Sequence, residues 1–440
     1  MRARRSLRRI AVVLLLAALC PAGTLFAGPP ETVSRAEKEP LALSARSAVL
    51  MDQVSGRVLY QRNPDQPMVP ASIAKLMTLH IVYQRLADRT IARSDVVSLT
   101  SNAWADHQAP GSTLMNLGPG QIVTVEELMK GVAIASGNDA AAALAEYVAG
   151  SPAAFVRMMN DEARFMGYRS MHFTDPAGVN RDNRVTAREF ADFCRRYIGL
   201  HPEALGELHS LREFDYPLAQ NVPGVRRARL ETKKQYNGNW LVWDGFGVDG
   251  LKTGHLDNEN FTAAITARRG GMRLIAVILG VPGTSLNDGA RNRTDDSMSL
   301  LRYGFRNFTT MDLDAPVLPP ARVWKGGLGA VAVQPSEPVR LTARPEELEK
   351  LTYSVLARTP LIAPVYKGQV VGDLVYSAGS EEVGRIPLLA AADVESAGPL
   401  RWAWDSVLLG LTTMVEDTFA AAHAAVDMLH PTAIVSARRR

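Results

Sequence analysis

Ser72 and Lys75 stand three residues apart in VPASIAKLMT, the stretch Val69–Thr78. On a helix, positions i and i+3 share a face, so the Lys75 amine can reach Ser72 Oγ. A serine hydroxyl is a weak nucleophile and needs such a base beside it. The pair therefore suits acyl transfer, with Ser72 attacking and Lys75 taking its proton. Pro70 helps set the start of that helix, and a helix N-terminus favours negative charge developing nearby. Lysine accepts a proton only when neutral. Its usual pKa near 10.4 must fall by about 3 units, roughly 4 kcal/mol, to work near neutrality. Burial and a neighbouring cation both push in that direction, and Lys252 is the candidate cation.

Two further groupings carry chemistry. In IASGNDA, Ile134–Ala140, Ser136 and Asn138 lie on a short turn between helical stretches and can both point into a site. A second Ser-x-Asn, Ser285-Leu286-Asn287, is assigned to a loop. In GLKTGHL, Gly250–Leu256, Lys252-Thr253-Gly254 opens a β pattern. On a strand Lys252 and Gly254 face one way and Thr253 the other. Glycine at 254 is expected to leave room for a ligand lying against the strand. Each grouping is weak alone. In this order they form the Ser-x-x-Lys, Ser-x-Asn and Lys-Thr-Gly set of serine β-lactamases and penicillin-binding proteins.

The elements that must hold these residues follow from periodicity. SAVLMDQVSGRVLYQRN, Ser47–Asn63, reads as a hairpin around Ser55-Gly56. From Ser72, Leu76, Leu79, Val82 and Leu86 recur on one helical face. Further helical patterns begin at TVEELMKGVAIAS, NDAAAALAEYVAG, PAAFVRMMNDEARFMGY and TAREFADFCRRYIGL, and Thr124 with Glu127 makes a capping box. Beyond Trp240 two strands flank Arg269-Gly270-Gly271, and DDSMSLLRYGFRNF reads as a helix. A sheet thus takes strands from both ends of the domain with helices inserted between, an α+β arrangement. Residues 311–395 carry prolines and short β-like runs and are expected to form a small all-β domain. Residues 396–440 read as an amphipathic helix with a basic tail. Trp404, Val407, Leu408, Leu411, Val415, Phe419 and Ala422 lie on its apolar face, which suits a membrane surface.

Composition narrows the classes. Of 440 residues, 47% are hydrophobic and 21% charged, as in a globular chain. Residues 1–27 follow the order of a secretory signal: five arginines, an apolar run, then small residues. Residues 28–45 read as a linker, leaving 46–310 for the domain that carries the motifs. The net charge is +4, but a chain starting at Gly28 would carry −1, which argues against a nucleic-acid partner. Cys20 falls in the leader, so Cys194 has no intramolecular partner in such a chain and reads as a small buried hydrophobe.

With PASIAKLMT, SGNDAAAALAEYVAGS, DGLKTGH, GMRLIAVILG and APVYKGQVVGDLVY, the chain resembles the D-alanyl-D-alanine carboxypeptidases from about Ser47 to Leu409. These are the low-molecular-mass penicillin-binding proteins. The resemblance implies a β-lactamase/DD-peptidase-like domain with an antiparallel sheet and inserted helices, then a small β domain and a C-terminal amphipathic anchor. It implies removal of the terminal D-alanine from peptidoglycan stem peptides through an acyl-enzyme on Ser72, acylation by β-lactam antibiotics, and no metal or cofactor. Ser136 would relay a proton to the leaving amine, and Asn138 would hold the substrate amide. The backbone N–H groups of Ser72 and His255 would form the oxyanion hole. Thr253 and Arg293 would hold the free carboxylate, Arg293 standing eleven residues before Gly304-Phe305 with Arg291 as competitor. The enzyme would work at the periplasmic face of the cytoplasmic membrane, peripherally anchored. The loop DPAGVNRDNRVTAREF departs from the pattern, with Asn180 and Val185 where more polar residues are expected.

Three alternatives stand beside this reading. A serine β-lactamase needs a deacylating glutamate, and no Glu-x-x-Leu-Asn follows Ser136. A DD-endopeptidase uses the same motifs. A non-catalytic cell-wall scaffold would have no need for the full set.

Overall fold

Met272–Val281, MRLIAVILGV, is apolar at nearly every position, which suits a strand covered on both faces. It lies at the middle of a five-stranded antiparallel sheet. The strands are β1 (Ser47–Asp52), β2 (Val58–Arg62), β3 (Val248–His255), β4 (Phe261–Arg269) and β5 (Met272–Val281), in the order β2-β1-β5-β4-β3. The computed structural model describes residues 41–222 and 231–411. The expected leader, most of the linker, and the tail residues Val415, Phe419 and Ala422 lie outside that range.

Alternation along the strands divides the interior in two. Val49, Met51, Ile275, Val277 and Leu279 face the inserted helices. Ala48, Leu50, Leu274, Ala276 and Ile278 face the opposite layer with Met298, Leu300 and Leu301. The register Val49↔Val277 and Lys252↔Ala264 locks this pattern, since a one-residue slip would exchange the two faces.

Between β2 and β3 run α1 (Lys75–Ala87), α2 (Val125–Ala133), α3 (Asn138–Ala149), α4 (Pro152–Phe165) and α5 (Ala187–Leu200). α6 (Leu286–Asn307) covers the other side of the sheet. The capping box forms: Thr124 N donates to Glu127 Oε2 at 2.8 Å, and Glu127 N to Thr124 Oγ1 at 3.3 Å. One reading is corrected. Ser285-Leu286-Asn287 is not a loop, because Ser285 Oγ accepts from Asp288 N and caps α6, which starts at Leu286. In α1 every residue from Lys75 to Tyr83 is buried, beyond the apolar face that the spacing marks. Cys194 is buried and free in α5, where burial holds its thiol well above the usual range.

Downstream, Thr309–Leu313 pairs with Val339–Ala343, and a four-stranded sheet joins Val333–Pro335, Glu381–Ala390, Val370–Ala378 and Leu351–Ala357 in that order. A single helical turn, Pro345–Leu348, interrupts the β structure. This β-rich part docks on the β1–β2 hairpin. Arg57 donates to Glu347 Oε2 at 2.7 Å and Glu381 Oε1 at 2.9 Å, and Thr342 Oγ1 donates to buried Asp52 at 2.9 Å. Removing one partner of a mostly buried charge network strands the others. Arg57→Ala is therefore expected to destabilise the protein by about 2–3 kcal/mol, measured by urea unfolding.

Residues 399–411 are helical. Asp405 accepts from Lys325 N at 2.6 Å, and Lys325 Nζ lies 4.1 Å from the Trp402 ring centre, so one edge of this helix is held. Trp404, Val407 and Leu411 are exposed. Among the described residues, no helix is long and apolar enough to cross a membrane.

Candidate active site

Ser72 sits in a 3₁₀ turn, Ala71–Ala74, that leads directly into α1. That turn and the start of α1 place Lys75 Nζ 2.9 Å from Ser72 Oγ. The same amine lies 2.8 Å from Asn138 Oδ1 and 2.8 Å from the Ala177 carbonyl. Both of those oxygens only accept, so they take two N–H bonds. A neutral amine has two hydrogens and one lone pair, and the lone pair is left for the Ser72 hydroxyl. Neutral Lys75 is thus fully satisfied in the geometry of a base. Burial lowers its pKa to about 7, against the opposing pull of Asp175 and Asp139.

Of the two causes expected, burial is the dominant one. Lys252 is itself pushed well below the usual lysine range, by burial first and then by Lys75 and Arg293. Its Nζ donates to the Thr253 carbonyl at 2.8 Å.

Two glycines allow this approach. Gly178 has φ +78°, and a Cβ there would lie 2.1 Å from the Ala71 carbonyl oxygen. Its absence lets the Ala177–Gly178 segment close on the Ser72 turn and bring the Ala177 carbonyl to Lys75. Asp175 Oδ1 fixes that segment by accepting from Ala177 N at 2.8 Å and Gly178 N at 2.6 Å. At Gly254 a Cβ would lie 2.7 Å from Ser72 N. Gly254 lines the cleft, and the room it leaves is also needed by the backbone of Ser72, which packs against β3.

Ser136 and Asn138 come from the turn into α3. Ser136 has φ +58°, a conformation few non-glycine residues hold without help. Help comes from Thr113, whose Oγ1 donates to the Ser136 carbonyl at 2.7 Å and whose carbonyl accepts from Asn138 N at 2.9 Å.

A cleft of about 410 Å³ collects the candidates. Ser72, Ser136, Asn138, Thr253, Gly254, His255 and Arg293 line it, while Lys75 and Lys252 lie buried beneath. Arg293 is buried, donates to the Gly254 carbonyl at 3.2 Å and is lowered by burial to about 10. Arg291 is exposed and does not line the cleft. His255 stacks on Phe261, and burial followed by Arg293, Lys252 and Lys75 lowers its pKa. No glutamate is among the described residues lining the cleft.

Several contributors escaped sequence reasoning. Asp139 is buried and accepts from Met115 N at 2.8 Å and Leu117 N at 3.0 Å, fixing the loop that forms one cleft wall. Its signal was an acid inside an alanine-rich helix. Trp240 and Ala290 also line the cleft and carried no motif, and Leu286 lines it from the second Ser-x-Asn. Val185 is buried and pairs with Met68, which gives the apolar departure at that position a structural reason.

Residues 33–283 match the family model described as D-alanyl-D-alanine carboxypeptidase, and residues 305–396 match that of the penicillin-binding protein 5 C-terminal domain. The chain is 34% identical over 395 residues to D-alanyl-D-alanine carboxypeptidase DacC of Escherichia coli (strain K12), covering 88% of this chain and 92% of that protein. It is similar to the crystal structure of penicillin-binding protein 5 from Haemophilus influenzae, with TM-score 0.69, 31% identity, 82% of this chain and 100% of that one. Penicillin-binding protein D2 from Listeria monocytogenes in its ampicillin-bound form has TM-score 0.51, 26% identity, 61% of this chain and 100% of that one.

Proposed function

Because the chain belongs to the D-alanyl-D-alanine carboxypeptidase family, we propose that it removes the terminal D-alanine of peptidoglycan stem peptides with Ser72 as the acylated residue. The protein is a serine peptidase, and β-lactams are ligands of its family. The observation that carries the assignment to Ser72 is the Lys75 amine, buried and bonded at once to Ser72, Asn138 and the Ala177 carbonyl.

In this reading Ser72 Oγ attacks the carbonyl of the penultimate D-alanine as its proton passes to Lys75 Nζ. The backbone N–H groups of Ser72 and His255 receive the developing oxyanion. The amide bond breaks, the leaving amine takes a proton through Ser136, and D-alanine departs. Water then attacks the acyl carbon, with Lys75 taking its proton, and restores Ser72. Thr253 and Arg293 hold the terminal carboxylate. Asn138 both bonds Lys75 and faces the substrate amide.

D-alanine release from a synthetic pentapeptide tests this. The wild type releases it; Ser72→Ala does not, and equal release by both proteins would remove Ser72 from the mechanism. The pH profile carries a sign. Lys75 is competent only when neutral, and its pKa is lowered to about 7. Competence is therefore lost as pH falls below that value and saturates above it. kcat/KM is expected to drop about tenfold per pH unit on the acid side and to level off on the other.

The exposed Trp404, Val407 and Leu411 support peripheral attachment to the outer face of the cytoplasmic membrane. A chain ending at Gly398 is expected to stop sedimenting with vesicles of mixed zwitterionic and anionic phospholipid while still releasing D-alanine. Sedimentation unchanged by the truncation would contradict that attachment.

A further inference from the structure

Leu286, Ala290 and Arg293 on α6 all line the cleft, at i, i+4 and i+7. That spacing is one face of a helix, so the buried guanidinium lies at the inner end of an apolar stripe. Trp240 lines the same cleft from a different element. The strap that carries it is fixed by two buried asparagines. Asn237 Nδ2 donates to the carbonyls of His209 at 3.1 Å and Leu211 at 2.9 Å, and Asn239 Nδ2 to that of Gly250 at 3.2 Å. Between them the Gly238 carbonyl accepts from Arg293 Nη2 at 3.3 Å. The indole thus stands two residues from a backbone group bonded to Arg293.

Trp240 keeps 48% of its surface exposed and Leu286 57%, although each borders a cleft that also holds the nucleophile. Apolar surface gathered in a recess beside one buried cation suits a ligand with an apolar side chain next to a carboxylate. A leaving residue whose carboxylate rested on Arg293 and Thr253 would lie in the same cleft as these apolar side chains. An alanine methyl covers little of it. We infer that Trp240, Leu286 and Ala290 form an apolar subsite for the leaving residue, so that D-residues longer than alanine, such as D-leucine, are also released. The inference rests on the proposed role of Arg293 in holding the carboxylate. The chemistry is unchanged: the same amide bond breaks, water is added, and the larger D-amino acid leaves.

Matched peptides ending in D-Ala-D-Ala and D-Ala-D-Leu test it, with wild type, Trp240→Ala and Leu286→Ser. Leu286 is exposed at the start of α6, so its variant guards against misfolding of the first. The wild type is expected to cleave the D-leucine peptide with kcat/KM at least about one tenth of that for D-Ala-D-Ala. Each variant is expected to lower the D-leucine value about tenfold, chiefly through KM, and the D-Ala-D-Ala value less than about threefold. A wild-type ratio under one tenth, or variants that lower both peptides equally, overturns the subsite. Failure of the wild type on D-Ala-D-Ala itself would instead overturn the carboxypeptidase reading.

Discussion

Lys75→Met leaves a folded protein whose acylation by penicillin, and whose release of D-alanine, are slower by about 10²–10⁴-fold, the usual contribution of a positioned general base. Methionine fills the buried space without an amine. The Ser72 hydroxyl then loses the acceptor 2.9 Å away, and Asn138 Oδ1 and the Ala177 carbonyl lose their donor. Lys75→Arg separates the two roles a lysine can play. A guanidinium keeps a positive charge but cannot give up its proton here. If Lys75 acts as a base, Arg fails about as badly as Met in stopped-flow acylation. Substantial activity in the arginine variant would show that only the charge is needed.

Gly254→Ala is the second large effect. Its Cβ would fall 2.7 Å from Ser72 N and 2.8 Å from Thr262 Oγ1. The first of these is backbone and cannot rotate away. Either β3 or the Ser72 turn must shift by several tenths of an ångström, and that displaces one proposed oxyanion donor from another. Loss of a single donor of this kind costs about 10²–10³-fold in kcat. KM is expected to change far less, and a variant with unaltered kcat would contradict the close packing of β3 on the Ser72 turn.

The sequence made the sheet legible because its strands alternate or run apolar, and because MRLIAVILGV is too short and too apolar for a surface helix. It made the three motifs legible because spacing fixes which side chains share a face. Burial was not legible. Nothing in KLMTLHIVY announces a helix enclosed on every side, yet that enclosure lowers Lys75. The second cation invoked from sequence is disfavoured as a charge by the same enclosure and by Lys75, so the repulsion between the two amines falls on Lys252. The approach of the Ser72 backbone to Gly254 was not legible, because periodicity tells where a side chain points and not what comes close to it. Ser285 was placed in a loop because three polar or mixed residues do not reveal a cap until the helix behind them is seen. The arginine of the cleft was half legible: Arg293 was preferred with Arg291 as competitor, and α6 turns Arg293 inward and Arg291 to solvent.

Whether Ser72 is the residue acylated is read directly by intact-mass spectrometry of wild type and Ser72→Ala after brief exposure to penicillin, followed over hours. The wild type is expected to carry one covalent adduct, persistent for many minutes, mapped to the peptide containing Ser72 and missing from the variant. An adduct that vanishes within seconds while penicillin is consumed would indicate a β-lactamase. No adduct on either protein, or the same adduct on both, would show that Ser72 is not the acylated residue.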